Sequence, residues 1–296
     1  MVTCAALLAV DVATVVGRVD RLTIPPTAGP ADVETWVIAG LDSRSSVPEG
    51  PDFYGPSGGD GVHADVIAVV AVPRSGPPTV LVVPRDMLIV HGAGGPAARL
   101  GVLPARGWDA FTSGMCLTLG IPVDHLVTVT MRGFADAVDA LGGVEVTLPT
   151  AVRDAYSGLD LPVGASRLDG VQALSLVRSR HAEHLVDGAW VPTEAGAGAL
   201  DRARWAGDVV AQLAHRLRDS RSPATLQRLA WEVSDDVALD TGTPVARLGA
   251  LRAAAGAPVV QVPGDPTAVP VVVTAGPATR EVLERVGFPP GGCTMG

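Results

Sequence analysis

The sequence predicts an α/β domain, and three observations carry that prediction. Three apolar runs of strand length come early in the chain, helical and strand patterns alternate after them, and no shift in composition marks a domain boundary. A chain of 296 residues, 47% of them hydrophobic, is long enough to bury a sizeable core, as one large domain or two ordinary ones. The unbroken composition favours one.

Charge and residue usage exclude several kinds of chemistry. A formal charge of −9 and a pI near 5.1 disfavour a nucleic-acid surface, although a local arginine cluster can still hold phosphate. The chain has no lysine and no asparagine, which removes a Walker lysine, a Schiff-base lysine and N-glycosylation together. Abundant Ala, Gly, Val and Pro, with arginine the only fixed cation, suggest a GC-rich genome. The three cysteines, Cys4, Cys116 and Cys293, are too far apart for a CxxC or zinc-ribbon pattern. Two buried thiols at Cys116 and Cys293 are the expectation, with a bridge between them the alternative in an oxidising compartment.

In chain order, residues 22–34 carry Pro25, Pro26 and Pro30 and read as a linker. TWVIAGL, 35–41, is the first strand, with Asp42 and Arg44 at its end. A Gly, Pro and Ser rich loop from Ser45 to Gly61 follows, long enough to be functional. Val66 to Val72 makes the second strand, preceded by Asp65, and TVLVVP, 79–84, the third, ended by Arg85 and Asp86. Residues 91–107 read as loop, and Trp108 to Leu119 as helix. Gly120 to Pro149 parses as a strand from Leu126 to Met131, a helix with Phe134, Val138 and Leu141 on one side, a Gly142–Gly143 stop, and another strand. Asp124 and His125 precede the first of these, and a lone histidine there reads as structural.

The short Arg74 to Pro78 connection predicts an antiparallel meander for the first three strands. That arrangement brings Asp42, Arg44, Asp65, Arg85 and Asp86 to one sheet edge. Singly each is a surface charge ending a strand. As a set, three carboxylates and two arginines suit a hard cation bridged to phosphate oxygens.

LDGVQALSLVRSRH, from Leu168 to His181, reads as a helix that passes into closely spaced arginines. Asp169 caps it, Gln172 completes a capping box, and Val171, Leu174 and Val177 form its apolar stripe. Were the helix to continue, Arg178 and Arg180 would point apart, whereas an extended exit would put them on one face. Two guanidinium forks on one face suit a pyrophosphate. Taken alone, the stretch is better explained as a solvated helix end whose arginines meet the C-terminal dipole.

Ala182 to Ala199 reads as loop, and His181 and His184 lack the further ligands of a helical zinc site. Asp201 to Leu217 reads as an amphipathic helix with Arg202 and Arg204 in its first turn, where cations are electrostatically disfavoured unless an anion is near. The remainder alternates helices at 223–236 and 244–255, strands at 259–262 and 271–274, and a last helix at 277–286.

GLDSR (40–44), ADVIAVVAV (64–72), VVPRD (82–86), the 120–149 block with its VDALGGVEV, and LDGVQALSLVRSRH together resemble the LytR-CpsA-Psr family of bacterial envelope proteins. PVVVTAGPATREVLERVGF looks like the closing strand and helix of such a domain, so the resemblance covers about residues 33–288. It implies a single α/β domain, 33–288, with a central mixed or antiparallel sheet sandwiched by helices, a 289–296 tail, and a 1–32 segment holding a linker and the distal part of a membrane anchor. The anchor reading of the N-terminal apolar stretch rests on the resemblance, because Asp11 interrupts a run short of the roughly 20 residues a span needs; a buried helix is the alternative.

The resemblance implies transfer of a glycopolymer from a polyprenyl-pyrophosphate carrier to peptidoglycan or a related acceptor, with Mg²⁺, on the extracytoplasmic face of the membrane. Asp42 and Asp65 would hold the metal, and Arg44, Arg85, Arg178, Arg180, Arg202 and Arg204 the pyrophosphate. Asp86 would orient an arginine or activate the acceptor hydroxyl, and the prenyl tail would need an apolar tunnel. Several positions depart from the family pattern: His63 in place of an arginine, no Lys-x-Asn element near Arg99, Ala199 in place of an acid, and Trp205 and Ala206 in place of an Arg-Gln pair. An eroded second arginine cluster would weaken activity. The competing reading is a non-catalytic module that binds a lipid pyrophosphate or an envelope glycan.

Overall fold

The computed structural model describes residues 13–30, 32–43, 47–48, 62–90, 96–269 and 272–296, and the backbone alone of 195–197, 199, 200, 250, 252 and 253. The strands that matter here are β1 (Asp20–Leu22), β2 (Val33–Leu41), β3 (Ala64–Pro73), β4 (Thr79–Val82), β5 (His125–Val129), β6 (Val144–Leu148), β7 (Val152–Asp154), β8 (Leu159–Leu161), β9 (Gly164–Leu168), β10 (Glu183–Val186), β11 (Ala189–Pro192), β12 (Val237–Asp240) and β13 (Val259–Gln261). The helices are α1 (Trp108–Leu119), α2 (Met131–Ala140), α3 (Gly170–Arg178), α4 (Ala195–Asp219), α5 (Pro223–Val233), α6 (Gly249–Ala254) and α7 (Pro277–Arg285).

The main sheet has seven strands in the order β1-β12-β5-β2-β3-β4-β13. Its centre is the expected meander, β2 antiparallel to β3 and β3 antiparallel to β4, while β5 and β13 join it in parallel. Both faces are covered, which is why VIAVVAV is apolar without a break. Val37, Ala39, Ile67, Val69 and Leu81 point to one side, against Phe111 and Met115 of α1, Leu283 of α7 and Phe288. Trp36, Ala68, Val70 and Val80 point to the other, against Leu239 of β12 and Ala254 of α6, with Val210 of α4 packed alongside. A third cluster joins α2, α3 and α4 to the small sheets β6-β9 and β8-β7-β10-β11 through Val138, Val144, Leu148, Leu174, Val177, Trp205 and Val209. This is a mixed sheet between helical layers. His125 sits between Thr243 and Glu34 and stacks on the buried Trp36 with ring centroids 4.1 Å apart, a structural role as expected.

Several segments differ from the sequence reading. Ala182 to Ala199 is not a loop: β10 and β11 form a hairpin whose turn residues Asp187 and Gly188 have φ of 49° and 81°. That is the signature of a two-residue type I′ turn, for which Asp-Gly is a favoured pair. Helix α4 begins at Ala195, so Arg202 and Arg204 lie about two turns inside it, beyond the reach of the N-terminal dipole. Residues 97–99 pair with 88–90, and Leu100–Arg106 forms a 3-10 helix, where a loop was expected. The linker region is part of the fold too, with Asp20–Leu22 in the main sheet and Thr27–Ala28 paired with Thr294–Met295. Residues 13–18 are helical, and among the described residues no helix is long and apolar enough to cross a membrane.

Cys116 and Cys293 are joined in a disulfide rather than left as two thiols, because the C-terminal tail lies back along α1 and brings their Cα atoms to 5.2 Å. The bond links positions 177 residues apart, so it removes much of the freedom of the unfolded chain. Replacing both cysteines by serine is expected to lower stability by about 2–5 kcal/mol, read as a lower denaturant midpoint with a steeper slope, because the unfolded chain becomes more open.

Candidate active site

The meander assembles the acidic and basic edge. Asp42, just past β2, donates its N–H to the His63 carbonyl at 2.9 Å, and Val83, just past β4, donates to the Ile67 carbonyl at 2.9 Å. Asp42, Asp65 and Arg85 are thereby carried to the same end of three neighbouring strands. Arg85 forms an ion pair with Asp65 and a longer one, 3.8 Å, with Asp86. His63 fixes Asp42: its N–H donates to Oδ1 at 2.8 Å, and its ring Nδ1 lies 3.4 Å from Oδ2. The charge of Asp42 is felt at Arg85. Arg44 lies outside the described residues.

Helix α3 supplies the next arginine. Its capping box is present as read, with Asp169 accepting from Gln172 N–H at 2.8 Å and Gln172 from Asp169 N–H at 3.1 Å. Gly170 is required at its start, since a Cβ there would fall 2.2 Å from the Ala135 carbonyl of α2. The helix stops at Arg178, and Ser179, with ψ of 121°, turns the chain into an extended exit. Arg180 then reaches Asp65 at 3.1 Å. Arg178, half-buried at the end of the helix, is not among the side chains that line the cleft described below.

Asp86 is the hub of the second half. Arg99 reaches its Oδ1 at 3.1 Å and Arg202 its Oδ2 at 2.8 Å, in addition to Arg85. Of the two roles read for Asp86, this geometry fits holding arginines. Arg204 pairs instead with Asp201 at 3.2 Å, because two helical positions turn a side chain by about 200° and carry it away from Arg202. Trp205 and Ala206 are buried in the α2–α4 cluster, so neither reaches the cleft. Arg99 is the functional candidate the sequence reading passed over. Its signal is a solitary arginine closing an Ala-rich stretch, and it is placed by Gly101, whose N–H donates to the Arg85 carbonyl at 2.7 Å. A Cβ on Gly101 would meet the Ala64 carbonyl at 2.6 Å and the Arg85 Cβ at 3.0 Å.

Arg85, Asp86, Arg99, Arg180 and Arg202 line a cleft of about 580 Å³ together with Ala155, Tyr156, His181, Ala182, Glu183, Pro192 and Thr193. Nine of its twelve lining residues are polar or charged, which suits a headgroup, and among the described lining residues only Ala155, Ala182 and Pro192 are aliphatic. Arg85 and Arg202 are only 10% and 13% exposed, against 42% for Arg99 and 47% for Arg180. Burial, then repulsion from Arg180, lowers the Arg85 guanidinium to about 10, with Asp86 and Asp42 opposing and Arg202 adding to the repulsion. Burial likewise lowers Arg202, against the attraction of Asp86, with Arg180 and Arg99 repelling it. Crowded guanidinium groups held away from water are stabilised by an anion entering among them.

Among the described residues no group of three or more His, Cys, Asp and Glu side chains comes together as a metal cage. Asp42 and Asp65 are the hard oxygen donors on this edge, and to hold an ion such as magnesium, with phosphate and water as its other ligands, they would exchange their contacts to His63, Arg85 and Arg180 for it.

Two outcomes follow from this geometry. Gly101→Ala should push Arg85 out of place, weakening inorganic pyrophosphate binding by calorimetry and costing about 1–3 kcal/mol of stability from overpacking. Because burial and the neighbouring arginines hold the Arg85 guanidinium at about 10, affinity for the anion should fall as the pH rises from about 9 to about 11, and an Arg85→Ala variant should lose much of that dependence.

Fold and cleft together define an α/β protein with an arginine-lined cleft at one end of its central sheet. The chain belongs to the LytR-CpsA-Psr family: the model described as LytR_cpsA_psr family matches residues 25–253. A solved "LytR-Csp2A-Psr enzyme from Actinomyces oris" is similar at 34% identity and a TM-score of 0.81, covering 94% of this chain and 99% of that one. The "Probable cell wall biosynthesis protein LcpB" of Corynebacterium glutamicum is 33% identical over 165 residues, which are 55% of this chain and 40% of that protein. The "Polyisoprenyl-teichoic acid--peptidoglycan teichoic acid transferase TagU" of Enterococcus faecalis is 30% identical over 122 residues, 41% of this chain and 36% of TagU. The chain spans about two-fifths of the length of these curated relatives.

Proposed function

We propose that this protein transfers an envelope glycopolymer from a polyprenyl-pyrophosphate carrier to peptidoglycan or a related cell-wall acceptor, working at the extracytoplasmic face of the membrane. The observation that carries the reading is the set of four arginines, Arg85, Arg99, Arg180 and Arg202, held around Asp65 and Asp86 in one cleft. The names of the TagU and LcpB relatives, a teichoic acid transferase and a cell wall biosynthesis protein, support the substrate class and the envelope location.

The acceptor hydroxyl attacks the phosphorus that bears the glycan. A new P–O bond forms to the acceptor, the bridging P–O bond breaks, and prenyl phosphate leaves with its electron pair. The hydroxyl proton passes to solvent or to a carboxylate at the edge. Charge on the phosphate oxygens is what must be stabilised, and pre-placed guanidinium groups in a partly dry cleft do this without reorganising. Mg²⁺, when bound by Asp42 and Asp65, would supply further neutralisation of the same oxygens. Asp86 keeps Arg99 and Arg202 aimed into the cleft before substrate arrives. Water in place of the acceptor gives pyrophosphate hydrolysis as a side activity. An N-terminal anchor, or the lipid substrate alone, would hold the protein at the membrane.

A second reading, a binding module without turnover, draws on Arg204 facing away and on Trp205 filling the core where a further cation is expected. One assay separates the two. With a prenyl-pyrophosphate-linked saccharide, an acceptor glycan and Mg²⁺, the wild type should release prenyl phosphate, and Arg44→Ala, Arg85→Ala and Asp65→Asn should each lose about 100-fold in kcat/KM. Turnover by the alanine variants at the wild-type rate would remove the transfer reading. Tight wild-type binding of the lipid with no product would establish the second.

A further inference from the structure

We infer that Asp154 is the residue that positions Arg180 in the cleft. The inference rests on the headgroup reading of that cleft. Asp154 ends β7 and is 1% exposed, so it touches no ligand itself. Its Oδ2 accepts three hydrogen bonds, from the Ser179 hydroxyl, the Arg180 N–H and the His181 N–H, each at 2.8 Å. Its Oδ1 accepts the Tyr156 N–H at 2.9 Å.

All four donors belong to the two segments that form one wall of the cleft. Tyr156 and His181 both line it, and their rings lie 4.6 Å apart. One carboxylate thus ties the turn after β7 to the exit of α3. The tie also decides between the two courses open to that exit. A helix running on would point residue 180 about 200° away from 178, while the bonds at 179–181 hold the chain extended and deliver Arg180 to Asp65. A carboxylate is required because three donors converge on one oxygen, more than a neutral amide oxygen in its place would satisfy as well. Burial raises the pKa of Asp154, but the bonds from His181, Ser179, Tyr156 and Arg180 outweigh it, leaving the group below its ordinary value and ionised at neutral pH.

The test is a double-mutant cycle on the intact protein, read by binding of inorganic pyrophosphate and by hydrogen exchange. Asp154→Asn should weaken binding about tenfold, and Arg180→Ala by a similar factor, the scale of a charged hydrogen bond. The double variant should bind no more weakly than Arg180→Ala alone, because Asp154 acts through Arg180. Exchange protection at the 180 and 181 amides should be lost in Asp154→Asn. A residue that merely stabilises the fold would give additive losses, and additive losses or retained protection would overturn the inference. Should Asp154→Asn not fold, Ser179→Ala removes one of the three bonds; a smaller loss, about threefold, that vanishes in the Arg180→Ala background supports the inference, and an undiminished loss there overturns it. If the wild type fails to bind pyrophosphate, the transfer reading falls, and the exchange result alone decides whether Asp154 holds the exit.

Discussion

The register of β2, β3 and β4 is the constraint on which the rest depends. Side chains alternate across a strand, so a slip of one residue in the β3–β4 pairing would send Asp65 to the opposite face from Arg85. The slip is opposed because it would exchange the two sets of β3 side chains: Ile67, Val69 and Ala71 pack under α1 and α7, while Ala68 and Val70 pack against Trp36 and Leu239. Core packing on both faces therefore fixes the position of a charged site at the end of the sheet, although none of those core residues is polar.

The cleft is assembled from charges that would be unfavourable apart. Arg85 and Arg202 lose much of their hydration, and each guanidinium repels the others. Asp65 and Asp86 offset that cost, one holding Arg85 and Arg180, the other Arg85, Arg99 and Arg202. Such pairs add little net stability once desolvation is counted, and their effect is to hold geometry. A phosphate group entering this arrangement would compete with the carboxylates for arginines that are already in place.

Much of this was legible in the sequence, and the reasons are local. The apolar runs gave the meander, Arg74 to Pro78 its antiparallel sense, and Asp169 with Gln172 the start of α3, because each depends on neighbours in the chain. Arg99 was not legible: it reaches Asp86 through the turn at residues 88–99 and the close packing of Gly101, both tertiary facts. The helix-dipole argument for Arg202 does not hold, since α4 starts earlier than its polar residues suggest, and the resemblance alone points to it. Arg204 is equivalent to Arg202 in the sequence alone, and the helix phase separates them, Arg202 reaching Asp86 and Arg204 pairing with Asp201. Asp154 had no sequence signal, being one acid among many until its donors at 179–181 are seen around it. The β10–β11 hairpin did carry one, Asp187-Gly188 between two short apolar runs.

The disulfide divides the cleft between two kinds of chain. Asp42, Asp65, Arg85, Asp86 and Arg99 precede Cys116 and sit on an open segment, whereas Asp154, Arg180 and Arg202 lie within the covalent ring closed by Cys116 and Cys293. A protease that cuts once inside the ring therefore releases nothing: the severed pieces stay linked through sulfur, and the ring's share of the arginines remains tethered beside the sheet edge it faces.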